Sequence, residues 1–250
     1  MKHILVIGGT ADSSEFIRKA PKDYALFVTT FSELGAKVTP EGPNIKTIYG
    51  ALNDNDFENL MRQEQITHAA DLSHPFATEV SKNAKAAASR YGIPYYRFER
   101  SSFTATKNIV SFPDFDTAAE ALKKTEGNLF LTIGSRNLRP FISDPKLKER
   151  CYMRVLADSR ILKELEDENI DSGRIFAMKG VASKELNIAL AKAINAKAIV
   201  TKDSGKTGGL TEKYEAAAAL NIPLVVIKRP ENNDMVFRTV EELLERIRRD

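Results

Sequence analysis

Short apolar runs alternate with amphipathic stretches along the chain, the pattern of βαβ units wound around a parallel sheet. The runs predict strands near residues 4–7, 26–29, 46–49, 69–72 and 95–98, with helices over 13–19, 54–63 and 75–91 between them. In the last of these, Phe76, Val80, Ala84, Ala87 and Tyr91 recur at spacings of three or four and share one helix face. A second series predicts strands near 109–112, 129–133, 152–156, 175–178, 198–201 and 224–227, and helices over 117–124, 161–165, 184–193, 212–220 and 240–248. The polar stretch 99–108 is the natural boundary. The expected fold is α/β: a Rossmann-like domain at 1–100, a second α/β domain at 101–250, mainly parallel sheets and a cleft between the domains.

An internal echo supports two similar halves. The segment from Lys85 through Ile93-Pro94 to Arg100 resembles the one from Tyr214 through Ile222-Pro223 to Arg229. Each is an alanine-rich helix stopped by Gly92 or Asn221, residues that tolerate the left-handed cap. Ile-Pro then opens a strand. Aligning the two prolines sets Ser73-His74 opposite Lys202-Asp203, so both polar loops leave the carboxyl end of a strand, where open α/β sheets bind ligands.

Composition narrows the class. The chain has 250 residues, 42% hydrophobic and 28% charged, as a soluble globular protein does. No apolar run approaches the roughly 20 residues of a membrane helix. Residues 1–7 are too short for a signal-peptide core, so a cytoplasmic, membrane-free setting is expected. One cysteine, Cys151, excludes an internal disulfide, and with His3, His68 and His74 it makes no ordinary transition-metal cluster. The net charge of +3 is too mild for a nucleic-acid binder. Residues 1–100 are charge-balanced, so the surplus lies in the second half and suits a small anionic ligand there.

The first strand runs into Gly8-Gly9-Thr10-Ala11-Asp12-Ser13, a glycine turn that opens a helix. Such a turn lets the backbone approach a pyrophosphate at a helix N-terminus, with Thr10 and Ser13 as further donors. The full G-x-G-x-x-G fingerprint is absent, and a plain tight turn is the competing reading. The second strand ends Thr29-Thr30-Phe31-Ser32, without the acid that holds an NAD ribose; with Lys37 nearby this leans toward NADPH, or is simply a polar loop tip. In Asp71-Leu72-Ser73-His74-Pro75-Phe76, Pro75 suits the first position of a helix capped by Ser73, and His74 stands at the strand end. It reads either as a hydrogen-bonding or acid group near neutral pH, or as a packed or solvated imidazole. His3 and His68 sit at strand starts and read as structural.

In the second half, Thr132-Ile133-Gly134-Ser135-Arg136 and Thr201-Lys202-Asp203-Ser204-Gly205-Lys206-Thr207-Gly208-Gly209 both follow apolar strands. Lysines, hydroxyls and glycine N–H groups there make an anion-binding concavity, or else a flexible surface loop. A P-loop would need glycine where Val200 stands. Met178-Lys179-Gly180 is a weaker loop of the same kind. No Tyr-x-x-x-Lys, no G-x-S-x-G and no Mg²⁺- or Zn²⁺-type carboxylate cluster occurs. Sparse acid–base equipment beside a cofactor-type loop fits hydride transfer, where the cofactor supplies the chemistry.

At these residues the chain resembles the precorrin-6A reductase (also cobalt-precorrin-6A reductase) family of cobalamin biosynthesis. The likeness rests on Ile7-Gly8-Gly9-Thr10, Val28-Thr29-Thr30, Asp71-Leu72-Ser73-His74-Pro75-Phe76-Ala77 with Asn83, and the segment from Gly92-Ile93-Pro94 to Arg100. Thr201-Lys202-Asp203-Ser204-Gly205, Gly208-Gly209, Glu212-Lys213 and Ile222-Pro223 extend it. Ala11-Asp12-Ser13-Ser14 departs from the family's commoner glycine–glutamate form.

The resemblance implies NADPH- or NADH-dependent reduction of a tetrapyrrole ring double bond, C18=C19, in a cleft between two Rossmann-like domains. It implies that Gly8, Gly9, Thr10, Ala11, Ser13, Thr29, Thr30, Ser32, Ser73, Pro75 and Phe76 hold the cofactor. The anionic macrocycle would lie on Gly134, Ser135, Arg136, Lys179, Lys202, Ser204, Gly205, Lys206, Gly208, Gly209 and Lys213. The proton would come from His74, Asp203 or water. The other classes are an S-adenosylmethionine-dependent tetrapyrrole methyltransferase and a non-catalytic two-domain ligand-binding protein.

Overall fold

The computed structural model describes residues 1–99, 108–205, 208–230 and 236–250. The chain forms two compact units, Met1–Ser101 with Glu231–Asp250, and Ser102–Pro230. The first begins β1 (His3–Ile7), α1 (Ala11–Lys19), β2 (Ala25–Thr30), α2 (Glu33–Lys37), β3 (Ile45–Tyr49), α3 (Asp54–Gln63), β4 (His68–Asp71), α4 (Thr78–Tyr91) and β5 (Tyr95–Phe98). The second contains β6 (Ile109–Phe112), α5 (Phe115–Lys123), β7 (Asn128–Leu131), α6 (Arg139–Ile142), α7 (Pro145–Lys148) and β8 (Cys151–Val155). It continues through α8 (Ser159–Asp167), β9 (Ile175–Ala177), α9 (Lys184–Ala193), β10 (Ala196–Lys202), α10 (Leu210–Leu220) and β11 (Leu224–Ile227). The chain then returns to the first unit as β12 (Val236–Phe237) and α11 (Val240–Arg249).

Both sheets are parallel and six-stranded, ordered β12-β5-β4-β1-β2-β3 and β6-β11-β10-β7-β8-β9. The strand β1 is buried on both faces, which is why it reads as an unbroken apolar run. Ile4 and Val6 pack with Phe16 and Ile17 of α1 and Leu243, Leu244 and Ile247 of α11. Leu5 and Ile7 face the other way, onto Phe57 and Met61 of α3 and Ala84, Ala87 and Ala88 of α4.

That layering explains a departure from the expected boundary. Residues 231–250, assigned from sequence to the second domain, belong to the first unit because α11 covers one face of its sheet. Leu243 and Ile247 are fully buried there, worth about 1.5–3 kcal/mol each.

The helix over 75–91 begins later than expected, at Thr78. The His74 carbonyl accepts the Ala77 N–H at 2.8 Å, so Pro75 and Phe76 lie in a turn rather than in the first helical positions. The paired helix stops hold: Gly92 and Asn221 both adopt left-handed backbone, at φ 80° and 52°.

In each sheet the chain builds outward on one side of a central strand, then crosses to the other side. The crossing point lies between β1 and β4 in the first unit and between β7 and β10 in the second. Loops there splay apart and leave the crevice in which open α/β sheets bind ligands.

Candidate functional site

At the first crossing point, Gly8 is held tight: its N–H donates to the Thr29 carbonyl at 2.8 Å, and an added Cβ would lie 3.1 Å from Val28 Cγ1. Gly9 has φ +90°, a region L side chains avoid, and faces open space, with nothing within 4 Å of a Cβ there. The N-terminus of α1 follows directly.

The hydroxyls expected to greet a phosphate are committed elsewhere. Thr10 Oγ1 accepts the Ser13 N–H, Ser13 Oγ accepts the Thr10 N–H, and Thr10 Oγ1 donates to the Leu72 carbonyl at 2.7 Å. They form a capping box and tie the glycine loop to the loop after β4. Donors for a pyrophosphate here are therefore main-chain N–H groups of the bend and first helical turn.

Along the end of β2, Thr29 Oγ1 is buried with no partner among the described residues. Thr30 Oγ1 donates to the Ser32 carbonyl at 3.2 Å, and Ser32 Oγ caps α2 by accepting the Gly35 N–H. Phe31 is 63% exposed. The nearest acid, Glu33, pairs with Lys37 at 2.8 Å on the solvent side. An open glycine bend on a helix N-terminus and an orphaned hydroxyl fit a dinucleotide.

After β4 lies a polar network that the sequence reading missed. Asp71 and Arg97 are direct partners in the β4–β5 register, so their side chains share a face. Arg97 Nη1 reaches Asp71 Oδ1 at 2.7 Å, and both side chains are almost wholly buried. Asp71 Oδ1 also accepts the Ser73 N–H at 2.9 Å, and Oδ2 accepts Tyr95 Oη at 2.6 Å. Arg97 Nη1 donates to Ser73 Oγ at 2.9 Å, so that hydroxyl does not cap α4 as expected. The neighbouring carboxylates Asp71 and Glu99 and the Tyr95 phenol outweigh burial and hold the Arg97 pKa above its ordinary value. His74 is half-buried, and its Nδ1 accepts the Phe76 N–H at 3.2 Å, which leaves the ring proton on Nε2 in the neutral form. His3 and His68, at strand starts, bond to the Glu64 carbonyl and to Thr67 Oγ1, as structural residues do.

At the second crossing point, Thr132 closes onto β10, its N–H and Oγ1 both donating to the Val200 carbonyl at 2.8 and 2.9 Å. Gly134, at φ +80°, faces open space and leads into the 3₁₀ turn Ser135–Asn137, with Arg136 exposed. Beyond β10, Asp203 Oδ1 is held by Arg229 Nη2 at 3.2 Å and by the Gly205 N–H. Ser204 Oγ donates weakly to the Lys202 and Gly208 carbonyls. Lys206 lies outside the described residues. Lys179 is exposed just past β9, three strands from β10. The loop after it folds back, so that a Cβ on Gly209 would come 2.4 Å from Val181 Cγ1.

Lys213 is 3% exposed and donates to the Gly208 carbonyl at 2.8 Å. Burial, reinforced by Arg154 and Lys202, brings its pKa down to about 7, opposed only by Glu212. Burial and then Arg136 bring Lys202 down to about 8. Arg154, on β8, is lowered by burial and donates to Asn187 Oδ1 at 2.9 Å. It was not foreseen, although the alternation in β8, with Cys151, Met153 and Val155 buried, sends it to the opposite face. Arg136 thus acts on Lys202, and Lys202 and Arg154 act on Lys213. Like charges drawn together in this way favour an incoming anion. Among the described residues no three His, Cys, Asp or Glu side chains cluster for a metal, and no helix is long and apolar enough to cross a membrane.

The family model described as Precorrin-6x reductase CbiJ/CobK matches residues 3–248. A cobalt-precorrin-6A reductase of Methanocaldococcus jannaschii is 34% identical over 251 residues, covering 98% of each chain. One of Priestia megaterium is 32% identical over 248 residues, covering 96% of each. A solved structure titled CobK precorrin-6A reductase matches with a TM-score of 0.78 at 24% identity, over all of this chain and 97% of that one, a likeness of fold. On a match that spans both units and both crossing points, this chain belongs to the precorrin-6x reductase family.

Proposed function

We propose that this protein reduces the C18=C19 bond of precorrin-6A or cobalt-precorrin-6A to the 6B form, with NADPH or NADH as reductant, in cobalamin biosynthesis. The family is one of oxidoreductases acting on a CH–CH group. The observation that carries the substrate side is the gathering of four cations beside the loop after β10: buried Lys213, half-buried Lys202 and Arg154, and exposed Arg136. A macrocycle bearing acetate and propionate carboxylates would neutralise them through charge-assisted hydrogen bonds, the strong kind.

On the cofactor side, the bound nicotinamide would supply a hydride to one carbon of the double bond, leaving the oxidised dinucleotide; a proton completes the other carbon. In this reading, Gly8, Gly9 and Ala11 offer backbone to the pyrophosphate while Thr10 and Ser13 hold that backbone in shape. Thr29, Thr30 and Ser32 border the ribose, and the absence of an unpaired acid beside them favours NADPH. Ser73, Pro75 and Phe76 wall the nicotinamide. His74, Asp203 and water are the acid candidates: His74 would donate as the imidazolium, which requires Nδ1 to release the Phe76 N–H, and Asp203 Oδ1 is committed to Arg229 and Gly205. In the second unit, Gly134, which faces open space, and Ser135 would leave room for the macrocycle edge, Ser204, Gly205, Gly208 and Gly209 would shape the loop after β10, and exposed Lys179 would offer a further cation.

The test is an anaerobic assay of NADPH or NADH oxidation with metal-free and cobalt-containing precorrin-6A. Stoichiometric oxidation coupled to loss of the ring chromophore supports the reading. Tight binding of both ligands without oxidation contradicts it.

A further inference from the structure

Arg97 and Asp71 are 2% and 0% exposed, yet nothing in a Rossmann sheet requires a charged pair at the ends of two inner strands. A buried ion pair is a poor stabiliser, since apolar residues of similar volume often do as well. What this pair does hold is Ser73, gripped twice: its N–H by Asp71 Oδ1 and its Oγ by Arg97 Nη1. Ser81 on α4 adds a third tie, 3.2 Å from Ser73 Oγ and 3.3 Å from Arg97 Nη1. Tyr95 occupies the second oxygen of Asp71, which keeps the carboxylate from rotating away. One residue upstream, Leu72 is fixed from the other side, its N–H on the Ile7 carbonyl and its carbonyl on Thr10 Oγ1. The loop that carries His74 is therefore anchored to the glycine bend on one flank and to the buried ion pair on the other.

We infer that Arg97, acting through Asp71 and Ser73, is a positioning residue that sets residues 73–76 against the glycine bend in the arrangement that accepts the nicotinamide cofactor. This rests on the reading that the first unit binds that cofactor. The network lies wholly in this unit, so it acts on cofactor binding and leaves the macrocycle contacts of the second unit alone.

The test uses the full chain with Arg97→Lys and the paired apolar exchange Asp71→Leu/Arg97→Met, each measured for melting temperature, for NADPH and NADH Kd by nicotinamide fluorescence, and for KM of the tetrapyrrole. The double exchange strands the Ser73 N–H and the Tyr95 hydroxyl, so it should melt below wild type yet fold, while the Kd of the dinucleotide rises roughly tenfold or more, since displacing a binding loop by about 1 Å is felt at that scale. The tetrapyrrole KM should stay within about twofold of wild type on the same grounds. Arg97→Lys should fall between, because an ammonium keeps the charge pair but cannot grip Asp71 and Ser73 together. An unchanged dinucleotide Kd in either variant overturns the inference and spares the cofactor reading. Equal losses toward both ligands, the mark of mere destabilisation, also overturn it. Wild-type protein that binds neither dinucleotide overturns both.

Discussion

Replacing Lys213 by methionine should make the ligand-free protein more stable in acid and no more stable in alkali. The amine is 3% exposed and titrates at about 7 instead of its ordinary 10.5. Its neighbours are Arg154, Lys202 and Glu212, and its hydrogen bond goes to the Gly208 carbonyl. Between pH 7 and 10.5 the unfolded chain carries a proton here that the folded chain has shed, so stability rises with pH across that window. The charge penalty is fully present below pH 7, on the order of 4–5 kcal/mol, and vanishes above 10.5. Methionine removes it but also strands the Gly208 carbonyl, which costs about 1–3 kcal/mol at every pH. At pH 6 the two effects leave a net gain of roughly 1–4 kcal/mol, and above pH 10.5 only the loss remains. Thermal unfolding of wild type and Lys213→Met from pH 6 to pH 10 reads this directly. The wild-type advantage should grow with pH, by up to about 1.4 kcal/mol per pH unit. A constant difference between the two proteins across that range would refute the reasoning.

The same titrations govern ligand binding. Carboxylates bind charged ammonium groups, so the tetrapyrrole KM should rise as pH passes from 7 to 9, through the values of about 7 and 8 for Lys213 and Lys202, with no matching rise for the dinucleotide; a flat profile counts against the buried cations as the anion site. Thr29→Val removes a buried hydroxyl that has no partner among the described residues. It should raise the melting temperature, by about 1 kcal/mol in stability, while weakening the dinucleotide if that hydroxyl is its partner; calorimetry and fluorescence titration on one sample separate the two effects. Arg154→Met should raise the tetrapyrrole KM severalfold with little net change in stability, because relief of the guanidinium's burial offsets the loss of its bond to buried Asn187 Oδ1; an unchanged KM would remove it from the site.

Much of this was legible in the chain because a parallel sheet buried on both faces writes its strands as plain apolar runs. Val6-Ile7-Gly8-Gly9 and Ile199-Val200-Thr201-Lys202 each show a strand end and a polar loop without ambiguity. The echo around Pro94 and Pro223 also pairs the right strands, since β4 and β10 hold equivalent places in the two sheets. Return of the chain to the first unit was not legible. The strand that carries it, Val236–Phe237, is two residues long, and α11 would suit any sheet in need of an apolar face. Nor was the Asp71–Arg97 pair, whose partners are 26 positions apart and meet only because β4 and β5 are neighbours in register. A signal existed: an acid at the end of His68-Ala69-Ala70-Asp71 and an arginine inside Tyr95-Tyr96-Arg97-Phe98 are charges on inner strands, which must be paired. Thr10 and Ser13 were read as phosphate donors because a capping box and an anion site draw on the same residue types.

The division of labour between the units is tested most directly by one pair of KM measurements on two variants. Gly9→Val puts a branched side chain where φ is +90° and the space beyond is open, and Lys202→Gln removes one half-buried cation. In the anaerobic assay, Gly9→Val should raise the dinucleotide KM and leave that of the tetrapyrrole unchanged, and Lys202→Gln should do the reverse. Both constants moving together in both variants would contradict the account.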